Sequence, residues 1–144
     1  MQHISAASMK WTEENVVLRD YDLLEYLHDA KCLDVVWDCS DPRERLIHVS
    51  VVVHHEAGYP QWDGKKLRIT LSDVVIANSK CLGYRLGEET LDCWRVSSSD
   101  TFEQECIAMK ASGIVVPTLR FLVSFHSGSL IELACSRVSI VEMM

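Results

Sequence analysis

The chain has 144 residues, 48% of them hydrophobic and 24% charged, and its formal net charge is −7. This composition excludes collagen-like, low-complexity and disordered proteins, and the length predicts a single globular domain over residues 1–144. The negative charge argues against nucleic acids and anionic membrane surfaces as partners, because both repel an acidic protein.

The N-terminal part of the chain shows little regular pattern before residue 20. We expect residues 1–10 to be a weakly ordered lead-in, and they lack the apolar core of a secretory signal. Residues 15–19 fit either a strand or a helical turn. Residues 20–28 predict a short helix, because Asp20 can cap it and three leucines then fall on one face.

A two-residue periodicity begins at Lys31 and predicts a β-hairpin. Residues 33–38 alternate between the two faces of a strand, and Pro42 presets the backbone angle that a type I turn needs. The returning strand covers residues 45–55. Four of its apolar residues share one face: Ile47, Val49, Val51 and Val53.

A loop at residues 56–64 separates this hairpin from a further strand at residues 65–75. The loop contains turn-forming residues together with Tyr59 and Trp62. These aromatic side chains can anchor a partner, because binding hot spots favour Trp and Tyr. Alternatively, Trp62 folds back over the sheet edge and closes the core.

The next part of the chain combines an irregular segment, a short strand and a helix. Residues 78–89 show no regular pattern, and residues 91–96 predict a short strand. Residues 100–103 are typical of a capping box, with Asp100 at its start, and apolar residues then follow at helical spacing. We therefore expect a helix that begins near Asp100.

A second hairpin is predicted at the C-terminal end of the sequence, with its turn at residues 127–129. The register that places all six apolar residues on one face pairs Phe125 with Ile131, Val123 with Leu133, and Phe121 with Cys135. The same register places Ser124 beside Glu132 and Arg120 near Ser136. Around Ser136 the alternation shifts by one residue, which indicates a bulge.

Strands joined mainly by short turns predict an α+β, β-rich fold. We expect an antiparallel, meander-type sheet, curled or sandwich-like, covered by one or two short helices. The six cysteines are scattered and form no Cys-x-x-Cys pair, so we expect a cytoplasmic protein with reduced thiols.

The net charge is concentrated in residues 11–41. Nine acids and two bases fall there, so their difference of seven equals the whole net charge, and the rest balances at 12 against 12. Such a region attracts a cationic partner, although acidity also keeps a protein soluble. We expect a non-catalytic binding protein that needs no cofactor and binds a basic protein. Its predicted partner-binding residues are Asp20, Asp22, Glu25, Asp29, Tyr59 and Trp62.

The histidines support an alternative function, a small metal-dependent or small-ligand-binding enzyme. Imidazole together with a carboxylate suits zinc or a similar ion. The candidate ligands are His28, Asp29, His54, His55 and His126. Adjacent residues of a strand point to opposite faces, so His54 and His55 need a bulge to reach one ion. Hydrolase elbows, Walker loops and His-Glu-x-x-His spacing are all missing from the sequence, which favours a non-catalytic role.

Three short segments carry a resemblance to known families. They are residues 27–30 (LHDA), 62–67 (WDGKKL) and 125–130 (FHSGSL). Together they resemble small bacterial β-rich families of uncharacterised proteins, some of which are described as immunity proteins of polymorphic toxin systems. An immunity protein blocks a toxin by binding it. The resemblance therefore implies recognition of a toxin partner and brings no catalytic residues. Together with the acidic region, it leads us to expect an immunity-type inhibitor of a basic toxin domain.

Overall fold

A computed structural model describes residues 9–12, 26–41, 43–55, 58, 60–80, 90–95 and 99–143. Within these ranges the chain forms nine β-strands and one α-helix. The strands are β1 (Met9–Thr12), β2 (Lys31–Asp41), β3 (Glu44–Val52), β4 (Lys66–Ser72), β5 (Val75–Lys80), β6 (Leu91–Arg95), β7 (Leu119–Phe125), β8 (Leu130–Cys135) and β9 (Arg137–Glu142). The helix, α1, spans Asp100–Ala111.

The strands form two antiparallel sheets, which confirms the predicted β-rich α+β class. The five-stranded sheet has the order β1-β9-β4-β3-β2, and the four-stranded sheet has the order β5-β8-β7-β6. The β2–β3–β4 run is a meander, as expected. However, β9 lies between β4 and β1, so the order of the larger sheet does not follow the chain.

Both sheets contribute side chains to one hydrophobic core. Alternate residues of β3 and β4 are buried, because the period-two pattern of these strands turns one face toward the core. Trp94 of β6 packs edge-to-face against Phe121 of β7, with the ring centroids 6.3 Å apart. This ring contact lies within the four-stranded sheet, whereas the shared core joins the two sheets by apolar packing, as in a sandwich.

Helix α1 confirms the helix expected near Asp100, but its N-cap lies one residue earlier than the capping-box pattern predicts. Ser99 is the N-cap, and its hydroxyl accepts a hydrogen bond from the backbone N–H of Phe102. Asp100 follows in the first turn, where a carboxylate complements the helix dipole. Phe102 and Cys106 pack over the four-stranded sheet, in a cluster with Val75. No helix in the described ranges has the length and apolarity to cross a membrane.

The C-terminal hairpin forms, but its register differs by two residues from the predicted one. Phe121 pairs with Leu133 and Val123 with Ile131. The turn is centred one residue earlier than expected, because Gly128 adopts a φ of 93° and its N–H donates to the carbonyl of Phe125. Since the shift is an even number of residues, the same side chains still face the core.

The alternation shift at Ser136 marks a change of sheet where a bulge was predicted. Strand β8 ends at Cys135 in the four-stranded sheet, and β9 begins at Arg137 in the five-stranded sheet. The Ser136 N–H donates to the carbonyl of Ser72 at 3.0 Å. One residue therefore carries the chain from one layer of the sandwich to the other.

The strand predicted at residues 65–75 divides in the same way. Strand β4 ends at Ser72, Asp73 adopts a positive φ of 55°, and β5 starts at Val75 in the other sheet. Residues 78–80, predicted to be irregular, belong to β5, whereas residues 81–89 lie outside the described part of the chain. The short strand predicted at residues 91–96 is confirmed by β6.

At the N-terminal end, Met9 and Lys10 belong to β1, although both fall in the predicted lead-in. Residues 1–8, 15–19 and 20–25 lie outside the described residues, so most of the helix predicted at residues 20–28 falls there too. Tyr26 and Leu27 form a short 3-10 turn that leads into β2.

Candidate functional site

Strand β2 forms one edge of the five-stranded sheet. It pairs with β3, and a single bridge from Lys31 to Thr90 covers the start of its other side. Its pairing with β3 is irregular between Cys32 and Asp34 and again between Asp38 and Asp41. Residues 34–38, which we call the β2 edge, lie between these irregularities. Within the described part of the chain, no strand pairs with their outer side.

The β2 edge exposes apolar side chains on both of its faces. Val35 and Trp37 lie opposite Val49 and Ile47, two core residues, so they lie on the core-facing side of the sheet. Val35 packs against the core, whereas Trp37 is 52% exposed. Val36 occupies the opposite face and is 43% exposed. The edge therefore offers apolar area that the sandwich leaves uncovered.

Carboxylates stand at both ends of this apolar stretch. Asp34 is exposed, and within the described residues no ion pair neutralises it. Asp38 accepts hydrogen bonds from the hydroxyl and the backbone N–H of Ser40, at 2.6 and 3.0 Å. These two hydrogen bonds, with a smaller contribution from nearby His48, lower the pKa of Asp38. Asp38 is therefore ionised at neutral pH, and the edge carries negative charge.

A polar row crosses the outer face of the sheet from this edge. The Nε2 atom of His48 lies 3.9 Å from a carboxylate oxygen of Asp38, and its Nδ1 atom lies 2.9 Å from the Thr70 hydroxyl. The order of hydroxyl, imidazole and carboxylate is that of a hydrolytic triad. The contact between His48 and Asp38 is too long for a hydrogen bond, however, so the hydrogen bond of this row links β3 to β4 and leaves the edge strand out.

A second polar group lies where the two sheets meet, at the start of β2. This corner cluster consists of His28, Asp29, Asp92 and His126. The Nε2 atom of His126 lies 3.1 Å from Asp29 and 3.9 Å from Asp92, and the Nδ1 atom of His28 lies 3.3 Å from Asp29. All four side chains are partly exposed, so water screens these contacts.

Backbone hydrogen bonds create this corner. The N–H of Asp29 donates to the carbonyl of Leu91 at 2.8 Å, and the N–H of His126 donates to that of Thr90 at 2.9 Å. Asp29 adopts a positive φ of 62°, which turns the chain into β2. Contacts between residues far apart in the chain therefore bring the histidines together.

Of the five predicted metal ligands, His28, Asp29 and His126 converge in the corner cluster. His54 and His55 are exposed after β3, where His55 lies against Gly64. Among the residues that the structure describes, no group of three or more His, Cys, Asp or Glu side chains is arranged to hold a metal ion. Asp92 was missed by sequence reasoning, because only the pairing of β6 places it beside His126.

The predicted partner-binding residues have different positions. Asp29 belongs to the corner cluster. Trp62 is fully buried in the core, which favours the alternative that it folds back. The other four lie outside the described residues: Asp20, Asp22, Glu25 and Tyr59. Sequence reasoning missed the exposed β2 edge, although three consecutive apolar residues at 35–37 give each face an apolar side chain.

The described cysteines are free thiols that differ in their surroundings. Cys39 of β2 is exposed, whereas Cys32, Cys106 and Cys135 are buried. Burial raises the pKa of the Cys106 thiol, because a low-dielectric environment disfavours the charged thiolate. Of these four residues, Cys39 is therefore the one accessible to reagents in solution.

Comparison with known proteins gives no family assignment. No protein-family model matches the chain, and no curated protein or solved structure is significantly similar to it. The resemblance to immunity-type families therefore rests on its three short segments. Two of these segments, residues 27–30 and 125–130, contribute His28, Asp29 and His126 to the corner cluster.

Proposed function

We propose that the protein is a non-catalytic binding protein whose acidic β2 edge recognises a cationic protein partner. The observation that carries this proposal is the combination of exposed Trp37 and Val36 with Asp34 and Asp38 in one five-residue stretch. Aromatic and apolar side chains supply binding energy, and the flanking carboxylates select and steer a positively charged partner.

The surroundings of the edge support this choice of partner. Strand β2 carries three acids, Asp34, Asp38 and Asp41, against one base, Lys31. The side chain of Arg43 lies 3.6 Å from Asp41 and partly neutralises its charge. The carboxylates of Asp34 and Asp38 therefore contribute most of the negative charge that an approaching partner meets. The resemblance implies a toxin domain as the target class, and the charge of the edge favours a basic one.

The proposal is tested with a cationic probe peptide, acetyl-Gly-Lys-Val-Thr-Val-Arg-Gly-amide. Its affinity is measured by calorimetry at about 20 mM and about 500 mM NaCl, because the screening length falls from about 20 Å to about 4 Å between these concentrations. We expect Asp34→Lys to weaken binding about twofold to thirtyfold, since it replaces an attraction of about 0.2–1 kcal/mol by a repulsion of similar size.

Glu105→Lys is the matched control, because Glu105 is exposed on α1 and its substitution changes the net charge equally. It should bind the peptide as the unchanged protein does. Affinity that is insensitive to salt, or equal weakening by both substitutions, would show that the β2 edge is not the cationic binding surface.

The alternative function, a metal-dependent or small-ligand-binding enzyme, is favoured by the convergence of His28, Asp29 and His126. We rank it second because the described residues provide no group of three ligands arranged around an ion. Zinc titration with and without His126→Ala separates the two functions. A stoichiometric zinc ion that is lost in the variant would support the enzyme.

A further inference from the structure

We infer that the partner binds as an added β-strand: an extended segment of alternating basic and apolar residues pairs with residues 34–38 on the outer side of β2. This inference rests on the proposed function and specifies its mode of binding. The unpaired side of an edge strand presents backbone N–H and C=O groups in the spacing that another strand needs.

Among the described residues, the position of the unpaired stretch follows from the contacts at the two ends of the strand. At its start, Lys31 is bridged to Thr90. At its end, the backbone N–H of Ser40 donates to the Asp38 side chain, and the pairing with β3 becomes irregular. Irregularities of this kind protect sheet edges from further pairing. Between these two protected ends, residues 34–38 keep a regular register.

The side chains specify the chemistry of the incoming segment. On the core-facing side, Val35 and the half-exposed Trp37 require apolar partners, because such residues extend the core outward. On the outer face, Asp34 lies two residues before Val36 and Asp38 lies two residues after it. Each aspartate favours a Lys or Arg at the position of the added strand directly opposite it. A segment of the pattern basic, apolar, any, apolar, basic meets both requirements.

A second copy of this chain meets these requirements poorly. If two β2 edges paired antiparallel about Val36, Asp34 of each copy would face Asp38 of the other. Like charges directly opposite each other destabilise paired strands. The charge of the edge therefore selects a basic segment from a different protein.

The test uses the same probe peptide in two N-methylated forms. In a strand, successive backbone N–H groups point to opposite sides, so only one alternate set faces β2. One form is methylated at both valines, and the other at Lys, Thr and Arg. Charge and side chains are unchanged in both. We expect one form to lose affinity about tenfold or more and the other to bind within about threefold of the parent peptide.

Equal effects of the two methylated forms would overturn strand addition. If peptide binding still depends on salt and on Asp34 in that case, the proposed function stands without strand addition. Binding that is independent of salt would overturn both the proposed function and strand addition. A monomer–dimer equilibrium of the protein alone that is abolished by Trp37→Ala would assign the edge to a second copy and also overturn the inference. Val141→Ala is the matched control, because Val141 is similarly exposed on β9.

Discussion

Ser99 caps helix α1 and also donates hydrogen bonds to a buried carboxylate of the sheet beneath it. The substitution Ser99→Ala therefore measures how much these contacts contribute to the free energy of unfolding. The Ser99 hydroxyl accepts a hydrogen bond from the Phe102 N–H and donates one to Glu132, both at 3.1 Å. The backbone N–H of Ser99 donates to the other carboxylate oxygen of Glu132 at 3.1 Å. Glu132 lies in β8 and is only 5% exposed.

The expected loss of stability follows from these contacts. Removing an N-cap hydroxyl costs about 1 kcal/mol. Removing one hydrogen bond from a buried carboxylate costs about 1–2 kcal/mol more, because the desolvated oxygen is left without that donor. The backbone hydrogen bond from Ser99 to Glu132 survives the substitution. We therefore expect Ser99→Ala to lower the free energy of unfolding by about 2–3 kcal/mol.

Urea unfolding followed by circular dichroism measures this change. With a slope of about 2 kcal/mol/M, the midpoint should fall by about 1–1.5 M at an unchanged slope. Ser112→Ala is the control at the other end of α1, where an exposed hydroxyl donates to the carbonyl of Ala108. Its effect should stay below about 0.5 kcal/mol. A similarly small effect for Ser99→Ala would refute the proposed role of this network.

Two further predictions concern titratable groups. Ser40→Ala should raise the pKa of Asp38 toward the ordinary value of 3.8 in a carboxyl NMR titration. Because the folded pKa is lowered, the associated stabilisation is present above the unfolded pKa and is lost as pH falls through the folded value. An unchanged pKa in the variant would contradict the assigned cause. Alkylation followed by peptide mapping should modify Cys39 at least about tenfold faster than Cys106, since burial shields that thiol and raises its pKa. Equal rates would mean that the Cys106 region opens freely.

The C-terminal hairpin shows which part of the fold could be predicted from sequence. Side-chain alternation correctly identified the strands and the residues that face the core. It could not distinguish registers that differ by two residues, because both place Phe121 and Val123 on the same face. The left-handed conformation of Gly128 decides between them, because it centres the turn one residue earlier than the alternation pattern suggests.

The division into two sheets was harder to predict for a similar reason. A bulge and a change of sheet both shift the alternation by one residue, so the pattern around Ser136 fits either. Ser136 and Asp73 lie together, since the hydroxyl of Ser136 donates to the Asp73 carboxylate at 2.5 Å. This contact connects the two places where the chain changes sheet. The two residues are 63 positions apart in the sequence, so a local sequence pattern cannot predict their contact.

The candidate site was predictable in its charge and missed in its position. The excess of acids in residues 11–41 directed attention to the part of the chain that contains the β2 edge. Whether the side chains of a strand are exposed depends on whether that strand lies at the edge of its sheet. The edge strand is known only once the pairing of all strands in the sheet is known. Trp37 and Trp62 illustrate this limit, because the residue in the polar loop is buried and the residue in the strand is exposed.

The position of β9 affects how the protein folds during synthesis. This strand is made after the other eight, yet it lies inside the five-stranded sheet and separates β1 from β4. While the ribosome is still producing the preceding residues, β1 has no neighbour to pair with and the β2–β3–β4 meander has an open second edge. Contacts between such distant residues form slowly, on a scale of about milliseconds to seconds. A nascent chain therefore exposes β4 to other polypeptides until its last strand emerges.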